Sequence, residues 1–243
     1  MKDLTLTTSY PEEMQIIESW IRSRRTNGRS LEILEAGCGQ KWDVDLGDLE
    51  FHLTGVDLDQ AALDLRLTGS IDLHEAVQGD LREVQLDPDT FDVIYNSYVL
   101  EHVNGATKVL ENFRSWLKVG GIVIIRIPDP LSVYGFISRV TPHWFHVLYY
   151  RRVMGIPEAG QPGYAPYPVH YDEIVSRAGL HRFCRENGLA LRAEYGTGGY
   201  FHPGRGLVRR ALPIFKTVLS VLSLGRLSAS HNDLLFVIEK TEA

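Results

Sequence analysis

Four short apolar runs, each ending on an acidic or polar residue, restrict this chain more than any other feature. Leu31-Glu-Ile-Leu-Glu35 runs into the turn Gly37-Cys38-Gly39, and Phe51 to Val56 ends on Asp57. A weaker run, His74 to Gln78, ends at Gly79-Asp80, and Phe91 to Tyr95 ends on Asn96-Ser97. Runs this short and apolar read as strands buried on both faces, which is the condition of a parallel sheet covered by helices. Helical segments fall between them, near 59–67 and over Ala106 to Lys118, the second closed by Gly120-Gly121 before the most apolar strand, Ile122 to Ile127. The alternation predicts right-handed βαβ units in a doubly wound, Rossmann-like α/β fold. Ligands of such a fold bind at the carboxyl ends of its strands.

The rest of the chain fits around that half. Residues 11–25 place Met14, Ile17 and Ile21 at helical spacing, with Pro11 in the first turn and arginines in the last, which predicts a leading helix within residues 1–30. After Pro128 the pattern breaks. Residues 128–171 hold 9 of the 24 aromatic side chains (Tyr134, Phe136, Trp144, Phe145, Tyr149, Tyr150, Tyr164, Tyr167 and Tyr171), punctuated by Gly and Pro. An insertion there, at the ligand edge, is expected to be a lid over an acceptor, spanning 129–170; a helical subdomain with its own small core is the other reading. Order returns over 171–243 with a helix near 171–187, a strand at Leu189 to Tyr195, an apolar and basic helix at 205–224 and a last strand at Asp233 to Glu239. One domain covering 1–243, with 31–128 as its cofactor-binding half, is the expectation.

Composition excludes several classes. With 44% apolar and 23% charged residues the chain is neither disordered nor fibrous. Two cysteines, Cys38 and Cys184, without ligand spacing indicate neither a disulfide framework nor a metal site, and point to a reducing compartment. The net charge of −6 is uneven: residues 1–130 carry 12 basic and 23 acidic side chains, the remainder 13 and 8. A protein with that balance lacks the broad basic face that nucleic-acid binding needs. The N-terminal residues have no apolar stretch of signal-peptide length and no segment reaches a membrane span, so a cytoplasmic protein is expected.

The glycines of Gly37-Cys38-Gly39 let backbone approach a ligand closely and offer amide donors. Asp57 follows Gly37 by 20 positions, so its carboxylate, with Leu58 beside it, stands at the end of the second strand, where it can accept from both hydroxyls of a ribose. A glycine turn plus an Asp that caps a helix is the plainer reading of that pair. Asp80 and Leu81 add a carboxylate for an adenine amino group and an apolar neighbour for its ring, and Asn96 and Ser97 add polar groups past a fourth apolar run. Together the segments LEILEAGCG, TGVDLD, GDL, FDVIYNSYVLEHV and LKVGGIVIIRIP resemble the class I S-adenosylmethionine-dependent methyltransferases, in particular the small-molecule branch that includes ubiquinone-biosynthesis methyltransferases. The resemblance covers about residues 31–128. It implies a mostly parallel seven-stranded sheet with the last strand antiparallel, and S-adenosylmethionine as cofactor. It also implies that Glu35, Gly37 and Gly39 hold the methionine end, Asp57 the ribose and Asp80 the adenine. Lys41 stands where the family has a third glycine, and residues 40–50 lack a helical stripe, so a short or irregular segment is expected after the turn. A nicotinamide fingerprint would need glycine where this chain has Trp42.

Methyl transfer is an in-line displacement that asks mainly for positioning, plus a base where the acceptor is a hydroxyl. His102, a few residues past the fourth strand and before a helix that Asn104 is expected to cap, is the candidate base; local packing is the plainer role for it. His170 and Tyr171 are weaker candidates, while His143 and His146 sit among aromatics. Between Glu194 and Asp233 there is no acidic residue, whereas Arg205, Arg209, Arg210, Lys216 and Arg226 occur. The helix at 205–224 can therefore cover the sheet, meet an anionic membrane surface or help bind an anionic, lipid-like acceptor, and simple packing is the favoured role. The function expected is methyl transfer to a small, partly apolar molecule, with a non-catalytic cofactor-binding or partner subunit as the competing class.

Overall fold

The computed structural model describes residues 4–25, 28–70, 72–161, 166–170, 172–200 and 206–242. Of the residues singled out above, Tyr164, Tyr171 and Arg205 lie outside the described residues, as does the side chain of Arg209.

In chain order the elements are β1 (Thr5–Leu6), α1 (Tyr10–Arg22), β2 (Leu31–Ala36), β3 (Phe51–Asp57), α2 (Gln60–Leu65), β4 (Glu75–Gln78), β5 (Phe91–Ser97), α3 (Ala106–Trp116) and β6 (Leu117–Pro128). There follow α4 (Val133–Val140), α5 (His143–Tyr149), α6 (Arg177–Glu186), β7 (Leu189–Thr197), α7 (Gly206–Leu222) and β8 (Asp233–Lys240). The strands form one sheet in the order β1-β7-β8-β6-β5-β2-β3-β4. All pairs from β6 through β4 are parallel, and β8 runs antiparallel to both β6 and β7. The doubly wound, mostly parallel sheet with helices on both faces is as the sequence led us to expect. The eighth strand is the two-residue β1, too short to carry a pattern, which pairs with the outer edge of β7.

Alternation along each strand splits the core in two. Leu34, Ile94, Val123 and Ile125 face α3 and α6, packing on Phe113, Trp116, Leu180 and Phe183. Ile33, Leu53, Val93 and Ile124 face the other way, onto Met14, Ile17 and Ile21 of α1 and Leu63 of α2. Each of these helix side chains contributes about 1.5–3 kcal/mol by leaving water. Ser9 starts α1 by accepting from the Glu12 N–H at 3.3 Å, with Pro11 in the first turn.

Three local expectations need correction. Asn104 does not cap α3: the cap is Gly105, at φ +83°, with no side-chain bond. A left-handed residue is needed there to turn the chain into the helix, and glycine adopts that conformation without a Cβ clash. Gly120-Gly121 does not close α3 either. The helix ends at Trp116, and the glycines lie inside β6, where the register with β5 shifts. The helix expected near 171–187 begins only at Arg177, capped by Ser176. Residues 40–50 carry no helix, in line with their missing stripe, yet Val44, Leu46 and Leu49 are buried against α1.

Candidate active site

The carboxyl ends of β2, β3, β5 and β6 meet on one edge of the sheet, and the residues singled out from sequence gather there. The glycine turn comes first, with Gly37 at φ +76° and Gly39 at φ +56°. A Cβ on Gly37 would stand 2.3 Å from Val99 Cγ2, so nothing larger fits; beside Gly39 there is open space for 4 Å. The amides of the turn are not offered to a ligand, contrary to expectation. Gly37 and Cys38 both donate to the Val56 carbonyl (2.8 and 3.1 Å), and Gly39 donates to Asp57 Oδ2 at 2.8 Å. What the turn presents is the open side of Gly39.

Asp57 also accepts from the Asp59 N–H through Oδ1, at 2.9 Å. Each of its oxygens thus spends one lone-pair position on backbone and keeps another, so the carboxylate is held rigidly and can still take two ribose hydroxyls. Leu58, 69% exposed, offers an apolar surface beside it, and Leu81 is buried. The open Gly39, the oriented Asp57 and the bare Leu58 fit a nucleoside. Asp80 is engaged more fully than its assigned role needs. Arg82 grips both its oxygens and donates its own backbone N–H at 2.9 Å, which holds the Asp80 carboxyl below its ordinary value. Asn96 is fully buried; its Nδ2 donates to the Ala36 carbonyl at 2.8 Å, tying β5 to β2, while Oδ1 has no partner. Ser97 Oγ accepts from Arg126 Nη1 at 3.2 Å.

Glu35 belongs to a buried ion cluster that the sequence did not announce. Arg66 is fully buried just past α2 and reaches Glu35 Oε2 (2.8 Å), Asp72 Oδ1 (2.6 Å) and the Cys38 carbonyl (2.8 Å). Burial raises the Glu35 carboxyl to about 8, with Arg66 pulling against it and Asp72 pushing with it. One guanidinium therefore anchors the acidic strand end and the glycine turn together.

His102 lies on the same edge, in a short helical turn after β5. Its Nδ1 is 2.7 Å from the Pro168 carbonyl. A carbonyl only accepts, so Nδ1 carries the proton and the Nε2 lone pair is available. Burial lowers the His102 pKa, opposed by the Pro168 bond and reinforced by His170, so the neutral imidazole prevails near neutral pH. Tyr167 packs edge-on to the His102 ring, with centroids 5.7 Å apart, and Asp59 and Asp57 lie within its electrostatic reach. His170 meets this site through its backbone N–H, which donates to the Glu101 carbonyl at 2.7 Å. His146 instead bonds Thr141 Oγ1 at 2.7 Å, with the ring of the exposed His143 6.3 Å away.

Sequence reading missed a second polar group set beside the first. Arg126, buried near the carboxyl end of the apolar β6, has Nη2 2.6 Å from Glu13 Oε1 on α1, an ion pair without the alignment of a hydrogen bond. It also stacks on the Tyr98 ring at 4.8 Å and meets the Tyr95 and Ser97 hydroxyls. Tyr98 holds φ +57°, a strained conformation for an aromatic residue, and its hydroxyl bonds Asp233 at the start of β8. Tyr200 donates to Glu13 Oε2 at 2.8 Å. Among the described residues, the buried side-chain atoms without a hydrogen-bond partner are Thr7 Oγ1, Glu13 Oε1, Asn96 Oδ1, Glu101 Oε2 and Arg126 Nε. All five belong to this end of the sheet, and four of the five can accept a hydrogen bond, so the set is short of donors. The signal in the sequence was the lone Arg inside IVIIRIP.

Burial pushes the Glu101 carboxyl up to about 8 and Asp233 to about 7. For an acid whose folded value is raised, the unfolded chain ionises first as pH climbs. Stability therefore falls between the ordinary value of 4.5 and about 8, by up to about 1.4 kcal/mol per pH unit for Glu101, and levels off above. Urea midpoints for the parent and Glu101→Gln across that range check this. The amide cannot ionise, so the variant should gain on the parent steadily as pH rises through that range, and the difference should stay constant below about 4.5.

The methyltransferase-domain family matches residues 13–194, three quarters of the chain. A probable S-adenosylmethionine-dependent methyltransferase of Mycolicibacterium smegmatis is 31% identical over 112 residues, 45% of this chain and 42% of that one. The ubiquinone biosynthesis O-methyltransferase of Maricaulis maris is 27% identical over 175 residues, 68% of this chain and 61% of that one. The chain thus spans between two fifths and three fifths of these curated relatives. Among solved structures, the S-adenosylmethionine dependent methyltransferase of Mesorhizobium loti superposes with a TM-score of 0.54 at 16% identity, covering 93% of this chain and 99% of that one, a likeness of fold. On the extent of the family match, set on a sheet whose ligand edge carries the expected glycine turn and acidic strand ends, the chain belongs to the methyltransferase-domain family.

Proposed function

We propose that the chain transfers the methyl group of S-adenosylmethionine to a small, partly apolar acceptor, with His102 as the base where the acceptor atom carries a proton. S-adenosylmethionine supplies a methyl group on a cationic sulfur, whose charge disappears as the bond breaks. Asp57 takes the ribose hydroxyls, Leu58 and Leu81 flank the adenine, and Asp80, steered by Arg82, takes its amino proton on a remaining lone pair. Glu35 and the open side of Gly39 face the methionine end, and Asn96 and Ser97 border the reacting group. Residues 129–170 act as the acceptor lid. The observation that carries this reading is the bond from His102 Nδ1 to Pro168: a residue of that segment reaches back to the cofactor edge and leaves Nε2 as a proton acceptor. Four aromatic residues of the lid, Tyr134, Tyr149, Tyr150 and Tyr167, have their hydroxyl pKa values raised by burial, and the Tyr134 and Tyr150 hydroxyls bond each other. No described helix is long and apolar enough to cross a membrane. Cys38 and Cys184 are free buried thiols, which suits a cytoplasmic setting.

Two measurements test this. Purified protein incubated with labelled donor and extracts of its own organism should release S-adenosylhomocysteine; donor binding without turnover on any acceptor pool would make it a binding subunit instead. Titration calorimetry on Asp57→Asn should show donor affinity reduced by about 1.5–3 kcal/mol, roughly tenfold to a hundredfold, because the charge is lost and one of the two accepting oxygens becomes an NH2 that cannot accept. Unchanged affinity would remove Asp57 from the ribose.

A further inference from the structure

Helix α7 is inside out. Amphipathic surface helices turn their apolar stripe to the core, yet here Ile214, Phe215, Val218, Val221 and Leu222 are exposed, Val221 at 68% and Leu222 at 73%. They occupy positions i, i+1, i+4, i+7 and i+8, which is one stripe of a helix. The helix's Lys216 points the other way, buried, with Nζ donating to Asn232 Oδ1 at 2.9 Å. Asn232 in turn donates to the Gly198 carbonyl beside the start of β8, so α7 is fixed over the same sheet edge that holds Tyr98 and Asp233. The helix α4 lies alongside, the two bounding a cleft of Val133, Tyr134, Ile137, Leu212 and Phe215, and α5 follows after two residues with Trp144, Phe145 and Leu148 exposed.

The charge along the two segments that build this layer has one sign. From Pro130 to Pro157, and again from Tyr195 to Asn232, the chain carries no acidic residue, although its net charge is −6. Arg139, Arg151, Arg152, Arg210 and Arg226 are exposed on these two segments, and no described ion pair includes any of them. A stripe of exposed Val, Leu, Ile and Phe with aromatic residues beside it, on segments that carry arginines and no acidic residue, is the composition that settles into the interface of an anionic bilayer. A second protein copy would bring its own acid-free face against this one, like charge against like.

We propose that α7, together with α4 and α5, docks the protein on an anionic lipid surface, so that the acceptor reaches the cofactor edge from the membrane plane. That route for the acceptor rests on the methyl-transfer reading; the docking itself does not. The test is co-sedimentation of the full chain with vesicles of phosphatidylcholine and phosphatidylglycerol in equal parts, against vesicles of phosphatidylcholine alone. The parent should pellet with the mixed vesicles and remain in solution with the neutral ones, with binding weakened by salt. Val221→Glu with Leu222→Glu, and separately Arg210→Glu with Arg226→Glu, should each lower partitioning on the order of tenfold or more. All of these positions are exposed, and donor affinity measured by calorimetry on the same samples should equal the parent's. Equal pelleting with both vesicle types, pelleting with neither, or partitioning untouched by both double variants would overturn the proposal. So would a lipid-free dimer that Val221→Glu with Leu222→Glu dissolves, which would make the face a contact between copies. Vesicle binding in a parent that binds no donor would leave the docking standing and remove the methyl-transfer reading.

Discussion

Replacing His102 by Asn is expected to lower turnover by about 10²–10⁴-fold while leaving donor affinity within a factor of about two. The Asn amide N–H stands close to where Nδ1–H stands, so the bond to the Pro168 carbonyl survives, and only the Nε2 lone pair is lost. That substitution separates proton removal from lid positioning, which alanine would remove together. The pH profile adds an independent check. Burial lowers the His102 pKa, so kcat should rise with pH and reach its plateau at a midpoint below the ordinary 6.5. In His102→Asn that limb should disappear. Turnover within about threefold of the parent, with the limb intact, would return His102 to a packing role. A loss shared by donor affinity would instead place the residue in the cofactor site.

The parts of this site that the sequence disclosed are those whose chemistry is tied to a strand end. Glu35, Asp57, Asp80 and Asn96 each follow an apolar run, and period and polarity together placed them on one edge. The parts it hid depend on which side chains meet across the chain. Arg66 follows α2 in a stretch that reads as a solvated helix end, and only the folded chain brings it to Glu35, 31 positions away. Glu13 sits on the leading helix among charged neighbours, and its partner Arg126 stands at the far end of β6. At the start of α3, Asn104 is the better cap by side chain, whereas the entry of the chain demands a left-handed residue and so selects Gly105. The inverted α7 was hidden for a further reason: its pattern is amphipathic either way, and periodicity does not tell which face the tertiary structure covers.

Arg66→Met should cost about 3–5 kcal/mol of stability, the largest loss expected of any single substitution here. Arg66 is fully buried, and its removal leaves Glu35, itself 6% exposed, and the Cys38 carbonyl without their donor. For a chain of this length each kcal/mol moves the melting temperature by roughly 2–4 °C, so a fall on the order of 10 °C is expected by calorimetry. The double substitution Arg66→Met with Glu35→Met should recover the part of that loss owed to Glu35, since an apolar pair there needs no buried carboxylate compensated, while Asp72 lies near enough to the surface to meet water. The two roles of Glu35 then separate. If it serves only to hold Arg66, the double variant binds S-adenosylmethionine as the parent does; if it also meets the methionine end, stability returns and donor affinity does not. The second outcome is the one expected, because Glu35 lies at the end of β2, two residues before the glycine turn whose Gly39 side is open. Equal melting temperatures for Arg66→Met and the parent would show that the Glu35 carboxyl is already satisfied as a neutral acid, and the cluster would lose its structural role.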